Sequence, residues 1–196
     1  MKIAIISTSP RQHSNSLRVA RYIRNVLESY SQSDISLVNF EAYDIPLVGQ
    51  SRVNRDELTP FQQELVEAWR EADLIFFTVP EYNWTTSPQL INTFHQLGNE
   101  PFADLFSGKV FAIAGVSTLR GGRQPALQVT TILNEIVSYM MLYSVVSPRI
   151  WESHETDQFL NEAGTPHGNK SYDQQGRAFV DYALNMTQRW LAPNLE

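Results

Sequence analysis

The chain of 196 residues contains no cysteine. That absence removes disulfide frameworks, thiolate zinc sites, cysteine-ligated iron–sulfur clusters and cysteine nucleophiles together, so any redox chemistry needs a bound cofactor. Positive charge is scarce as well. Fifteen Lys and Arg against 21 Asp and Glu give a formal charge of −6, and the few basic residues are scattered, leaving no footprint for nucleic acid or an anionic membrane. Long apolar runs are also missing. Met1-Lys2-Ile3-Ala4-Ile5-Ile6-Ser7 is too short for the apolar core of a signal peptide, and no stretch approaches the roughly 18 apolar residues of a membrane span. The expectation is a cytoplasmic protein with a small-molecule partner. A hydrophobic content of 42% suits one domain over residues 1–196, able to bury a core without disulfides or structural metal.

What is present is an alternation of short apolar runs with longer helical patterns, the rhythm of parallel strands joined by crossover helices. Ile3 to Ile6 is an unbroken β-branched run and predicts a strand buried on both faces. Leu17, Ala20, Ile23 and Leu27 recur at helical spacing behind the capping candidates Ser14, Asn15 and Ser16. Ile35 to Phe40 predicts a second, more amphipathic strand near an edge, followed by a long polar loop from Tyr43 to Leu58. Thr59-Pro60 opens a second helix with Phe61, Leu65 and Trp69 on one face. Ala72 to Val79 is a third strand ending at Pro80, and Ser87-Pro88 opens a helix to about Leu97. Lys109 to Val116 and Leu142 to Val146 complete five strands, with helices from about Gln124 to Met141 and through Phe179, Tyr182, Ala183 and Met186. Ile132, Ile136, Val137, Tyr139, Met140 and Met141 exceed what one core-facing stripe needs and predict self-association.

In an open parallel sheet, ligands sit outside the carboxyl ends of the strands, which directs attention to three turns. After the first strand, Ser9, Arg11, Ser14, Asn15 and Ser16 lead into a helix N-terminus. Free N–H groups, hydroxyl donors and one arginine suit a phosphate there; the competing reading is plain turn and capping chemistry. After the third strand, Pro80-Glu81-Tyr82-Asn83-Trp84 offers an aromatic wall and directed polar groups for a flat ring, or a cover for the core edge. After the fourth, Ser117 is followed by Gly121-Gly122, where backbone can approach a ligand closely, or simply turn. The glycine spacing of a dinucleotide fingerprint and the Walker loop are both absent. Gly115-Val116-Ser117-Thr118-Leu119 nearly matches a hydrolase nucleophile elbow, with His154 and His167 downstream, but the closing glycine is missing. No histidine pair has metal-ligand spacing, so no metal site is expected.

Taken together, the turns resemble those of the NADPH-dependent FMN reductase family. Ser9-Pro10-Arg11-Gln12-His13-Ser14 is similar to its phosphate loop, Asp44-Ile45-Pro46-Leu47 to the segment after the second strand, and Pro80-Glu81-Tyr82-Asn83 to its four-residue signature. Leu90, Asn92, Phe106-Ser107-Gly108-Lys109, Ser117 and Gly121-Gly122-Arg123 follow in the same order. Thr8 stands where the family usually has glycine, Pro88 is displaced by one position, Ile91 replaces a common lysine, and Arg120 and Pro125 make the fourth turn unusual. The resemblance implies a flavodoxin-like three-layer α/β/α fold with strand order 2-1-3-4-5 and bound FMN. Ser9, Arg11, Ser14, Asn15 and Ser16 would meet its phosphate, Pro80, Glu81, Tyr82 and Asn83 its ring, and Ser117, Gly121 and Gly122 its polar edge. It further implies ping-pong electron transfer from NADPH or NADH to a quinone, free flavin, azo compound or metal oxyanion, with no essential side-chain acid or base, and a homodimer or tetramer. A non-enzymatic flavodoxin-type electron carrier is the alternative.

Overall fold

The computed structural model describes residues 1–192. Strands β1 (Ile3–Ser7), β2 (Ile35–Asn39), β3 (Leu74–Pro80), β4 (Val110–Val116) and β5 (Val145–Val146) form a parallel sheet in the order β2-β1-β3-β4-β5. This is the flavodoxin-like arrangement. β1, β3 and β4 are buried throughout, whereas β2 at the edge is only partly so.

Side chains alternate across the sheet because successive residues of a strand point to opposite faces. Ala4, Ile6, Ile75, Phe77, Phe111 and Ile113 belong to one core, packed with Phe61, Leu65 and Trp69 of α2 (Pro60–Glu71), α3 (Pro88–Leu97) and α4 (Arg123–Tyr139). Ile3, Ile5, Leu74, Phe76, Val110 and Ala112 face the other, packed with α1 (Asn15–Ser29) and the late helix α6 (Lys170–Leu191).

Three helix starts follow from local chemistry. Ser14 accepts from the Leu17 amide, Ser87 from that of Leu90, and Thr59 and Gln62 form a reciprocal capping box behind Pro60. The hydroxyls thereby satisfy first-turn amides that lack helical partners.

The fifth strand differs from the sequence expectation of Leu142 to Val146. Only Val145–Val146 pairs with β4; the chain then leaves the ladder around Pro148 and returns as β6 (Trp151–Ser153), which pairs further along the same edge of β4. Proline cannot donate to a ladder, so the pairing is interrupted there. A one-turn helix α5 (Thr156–Phe159) follows, too short to leave a periodic signal.

The α4 surface also departs from expectation. Ile132, Ile136, Val137 and Met140 are partly buried against the core, leaving Tyr139 and Met141 about 90% exposed, with Leu127 partly so. Much of the apolar surplus is therefore used within the chain. Among the described residues no helix is long and apolar enough to cross a membrane.

Candidate functional site

The carboxyl ends of β1, β3 and β4 bring the three turns together around a cleft of about 220 Å³. Ser9, Arg11, Ser14, Asn15 and Ser16 line it from the first turn, and Pro80, Glu81 and Tyr82 from the second. Asn83, Ser117, Gly121 and Gly122 are not among its lining residues. Thr118 is, together with Gln12, His13 and Val116. Sequence reasoning passed over Thr118 even though it adjoins Ser117; its hydroxyl accepts a long 3.4 Å hydrogen bond from the Asn15 side-chain amide.

The first turn is held from below by buried hydroxyls. Thr8 donates both its amide and its side chain to the Thr78 carbonyl, at 3.1 Å each, and Ser87 Oγ donates to the Thr8 carbonyl at 2.8 Å. Thr78 Oγ1 donates to the Ser16 carbonyl at 2.9 Å. The position where the resembling family has glycine thus carries a side chain that ties β1 to β3. Above this base, Ser16 is 1% exposed and its Oγ has no hydrogen-bond partner. A buried hydroxyl without a partner costs free energy. Beside it, the first-turn amides of α1 lack intrahelical acceptors, and the helix dipole favours negative charge at this end.

Tyr82 does more than wall the second turn. Its hydroxyl hydrogen-bonds the Ser9 hydroxyl at 2.8 Å, and the Arg11 guanidinium lies 4.4 Å from its ring centroid. One tyrosine thus joins the first turn to the second. Beyond it the chain reverses in a tight hairpin in which Tyr82 and Thr85 exchange backbone hydrogen bonds, with Asn83 and Trp84 both at positive φ. This geometry leaves Trp84 75% exposed.

At the third turn, Glu81 accepts from the Gly122 amide at 2.5 Å, while the Glu81 amide donates to the Val116 carbonyl. Ser117 is tied through its backbone to Ser153 and Thr156. Its hydroxyl meets neither His154, whose Nδ1 lies 3.0 Å from Glu155, nor the exposed His167. The arrangement needed for a nucleophilic serine is not assembled. No group of three or more His, Asp or Glu is placed to hold a metal among the described residues.

The fold and this cleft define a flavodoxin-like α/β protein with an anion-ready turn at the strand ends. Comparison with known proteins carries the assignment further. The chain belongs to the NADPH-dependent FMN reductase family, whose model matches residues 1–152. It is accordingly an NAD(P)H-dependent flavoprotein oxidoreductase with FMN as cofactor. A search of curated proteins finds no sequence match. Among solved structures, the flavoenzyme FerB, an NAD(P)H:(acceptor) oxidoreductase from Paracoccus denitrificans, is similar at a TM-score of 0.66 and 16% identity over 94% of this chain and 97% of that one. The NADH:FMN oxidoreductase EMOB gives 0.61 and 18% over 94% and 89%. A flavodoxin from the domain Archaea gives 0.58 and 15% over 96% and 99%. At these identities the likenesses speak for the fold.

Proposed function

We propose that the cleft holds the phosphate end of FMN and that the chain passes electrons from a reduced nicotinamide to a small acceptor. The observation that carries this reading is the buried, unpartnered Ser16 hydroxyl at the N-terminus of α1, beside Arg11 and Ser9. A phosphate oxygen would satisfy that hydroxyl, the neighbouring amides and the guanidinium together. The cleft volume is below the roughly 300–1,000 Å³ of pockets that enclose a whole ligand, so the isoalloxazine would extend over the open side. Pro80, Glu81, Tyr82 and Asn83 would border the ring there, with Ser117, Gly121 and Gly122 near its polar edge. When bound, FMN would supply the redox chemistry, hydride acceptance from NADPH or NADH and, in a separate ping-pong half-reaction, electron donation to a quinone, free flavin, azo compound or metal oxyanion. The protein's part is to anchor the phosphate, orient the ring and leave one face reachable.

Exposed Leu47, Val48, Trp84 and Leu127, with partly buried Ile91, supply apolar surface for a homodimer or tetramer. A monomeric mass at micromolar concentration with full activity would remove that part of the proposal. A flavodoxin-type carrier shares the fold, and the archaeal neighbour keeps that second reading in view. The test is aerobic NADPH oxidation by the flavin-loaded protein with a quinone and no partner protein. Turnover supports the reductase; a yellow protein inert to NADPH supports the carrier.

A further inference from the structure

α4 lacks the means to cap itself. Its N-cap is Gly122, which has no side chain to offer the first-turn amides, and its N3 residue is Pro125. In a capping box, a Glu or Gln at N3 reaches back to the N-cap amide; proline cannot. That amide is instead bound by Glu81, 41 residues earlier in the chain, whose Oε2 accepts from it at 2.5 Å. The carboxylate also lies at the positive end of the helix dipole.

The surrounding backbone is built around this contact. A Cβ on Gly121 would stand 2.6 and 2.7 Å from the two Glu81 carboxylate oxygens, and one on Gly122 would stand 2.6 Å from the Gly115 carbonyl. The glycine turn is therefore clamped between β4 on one side and the Glu81 side chain on the other. Glu81 is itself fixed by its amide, which donates to Val116 at 2.8 Å.

We infer that Glu81 is a positioning residue, a latch that supplies the missing capping group of α4 from the β3 turn and so fixes the glycine turn beside the flavin site. It acts through Gly122, from within the turn that would border the ring. Its effect on flavin rests on the proposed function; its effect on the turn does not.

The test has two arms on the same set of full-length variants, Glu81→Ala, Glu81→Gln and Glu81→Asp. In flavin-free protein, amide hydrogen exchange at Gly122 quickens about ten-fold or more in the Ala and Asp variants, because the acceptor is gone or too short to reach. Glu81→Gln keeps a carbonyl acceptor and restores protection to within about three-fold. In FMN titrations the same order appears, with about five-fold or greater weakening for Ala and recovery for Gln. Unchanged Gly122 exchange in Glu81→Ala overturns the inference, as does a Gln variant as impaired as Ala. If the parent binds no FMN, the proposed function fails while the exchange arm still decides the latch. Should Glu81→Ala not fold, Gly121→Ala decides: its Cβ displaces the carboxylate and must quicken Gly122 exchange, and unchanged exchange overturns the latch.

Discussion

At the amino-terminal end of the sheet, Lys109 is 8% exposed yet partnered, its Nζ donating to the carbonyls of Arg70 and Ala72 at 2.5 and 2.7 Å. It closes the C-terminus of α2. Nearby, Asp104 accepts from Arg55 and Arg70 at 2.7 and 2.8 Å. Burial works against its ionisation, but the two guanidinium hydrogen bonds outweigh this and hold its carboxyl below the usual range. At the carboxyl end, by contrast, Ser7 and Ser16 are buried with hydroxyls that bond to nothing. One end uses its polar groups to hold secondary structure together; the other keeps some in reserve. The Lys109 ammonium, bonded within the chain, serves stability, whereas the Ser16 hydroxyl, buried and unpaired at the lining of the cleft, is free for a ligand.

The largest effect that would sharpen this contrast is at Lys109. Lys109→Met strands two carbonyls at the end of α2 and should cost about 2–4 kcal/mol in denaturant unfolding, with FMN affinity unchanged. A parallel fall in affinity would break the separation of the two ends.

Arg11→Ala should do the reverse. Losing a charge-assisted phosphate contact of about 1.5–3 kcal/mol weakens FMN roughly ten- to a hundred-fold, while the melting temperature of flavin-free protein holds. Riboflavin, which has no phosphate, should bind parent and variant alike. Ser16→Ala is the subtler probe. It should weaken FMN by about ten-fold or less and leave flavin-free stability equal or slightly higher, since an unpaired buried hydroxyl is removed.

A smaller effect marks the α1–α6 seam, where two buried tyrosine hydroxyls are hydrogen-bonded. Tyr22 donates to Asp173, and Tyr172 shares a hydrogen bond with Ser153. Burial pushes Tyr172 up to about 12, and burial with the Asp173 hydrogen bond pushes Tyr22 up as well. Because both folded values exceed the unfolded value near 10, the stability they contribute is complete below pH 10 and is lost as pH rises through the folded values. Chemical denaturation between pH 9 and about 12 should show this slope, and Tyr172→Phe should flatten it.

Much of this was legible in the sequence because it is local. Ser87-Pro88 marked the start of α3, and the uninterrupted apolar runs marked β1 and β4. The first turn and the front of the second converge on one cleft, as the strand-end rule requires. What sequence reasoning missed depends on distant partners. Nothing local distinguishes Glu81 as a cap for α4, Tyr82 as a bridge to Ser9, or Thr8 as a tie to Thr78. The split of the last strand was readable in Pro148, but the apolar residues on either side masked it.

The cleft at the carboxyl end of the sheet is proposed to hold a flavin that accepts electrons from a nicotinamide. Anaerobic titration of FMN-loaded protein with NADPH, followed by visible absorbance, tests it most directly. The expected result is a tightly bound yellow chromophore whose visible band is bleached by one equivalent of NADPH and returns when a quinone is added. A protein that retains no FMN, or whose FMN band is untouched by NADPH and NADH alike, would contradict it.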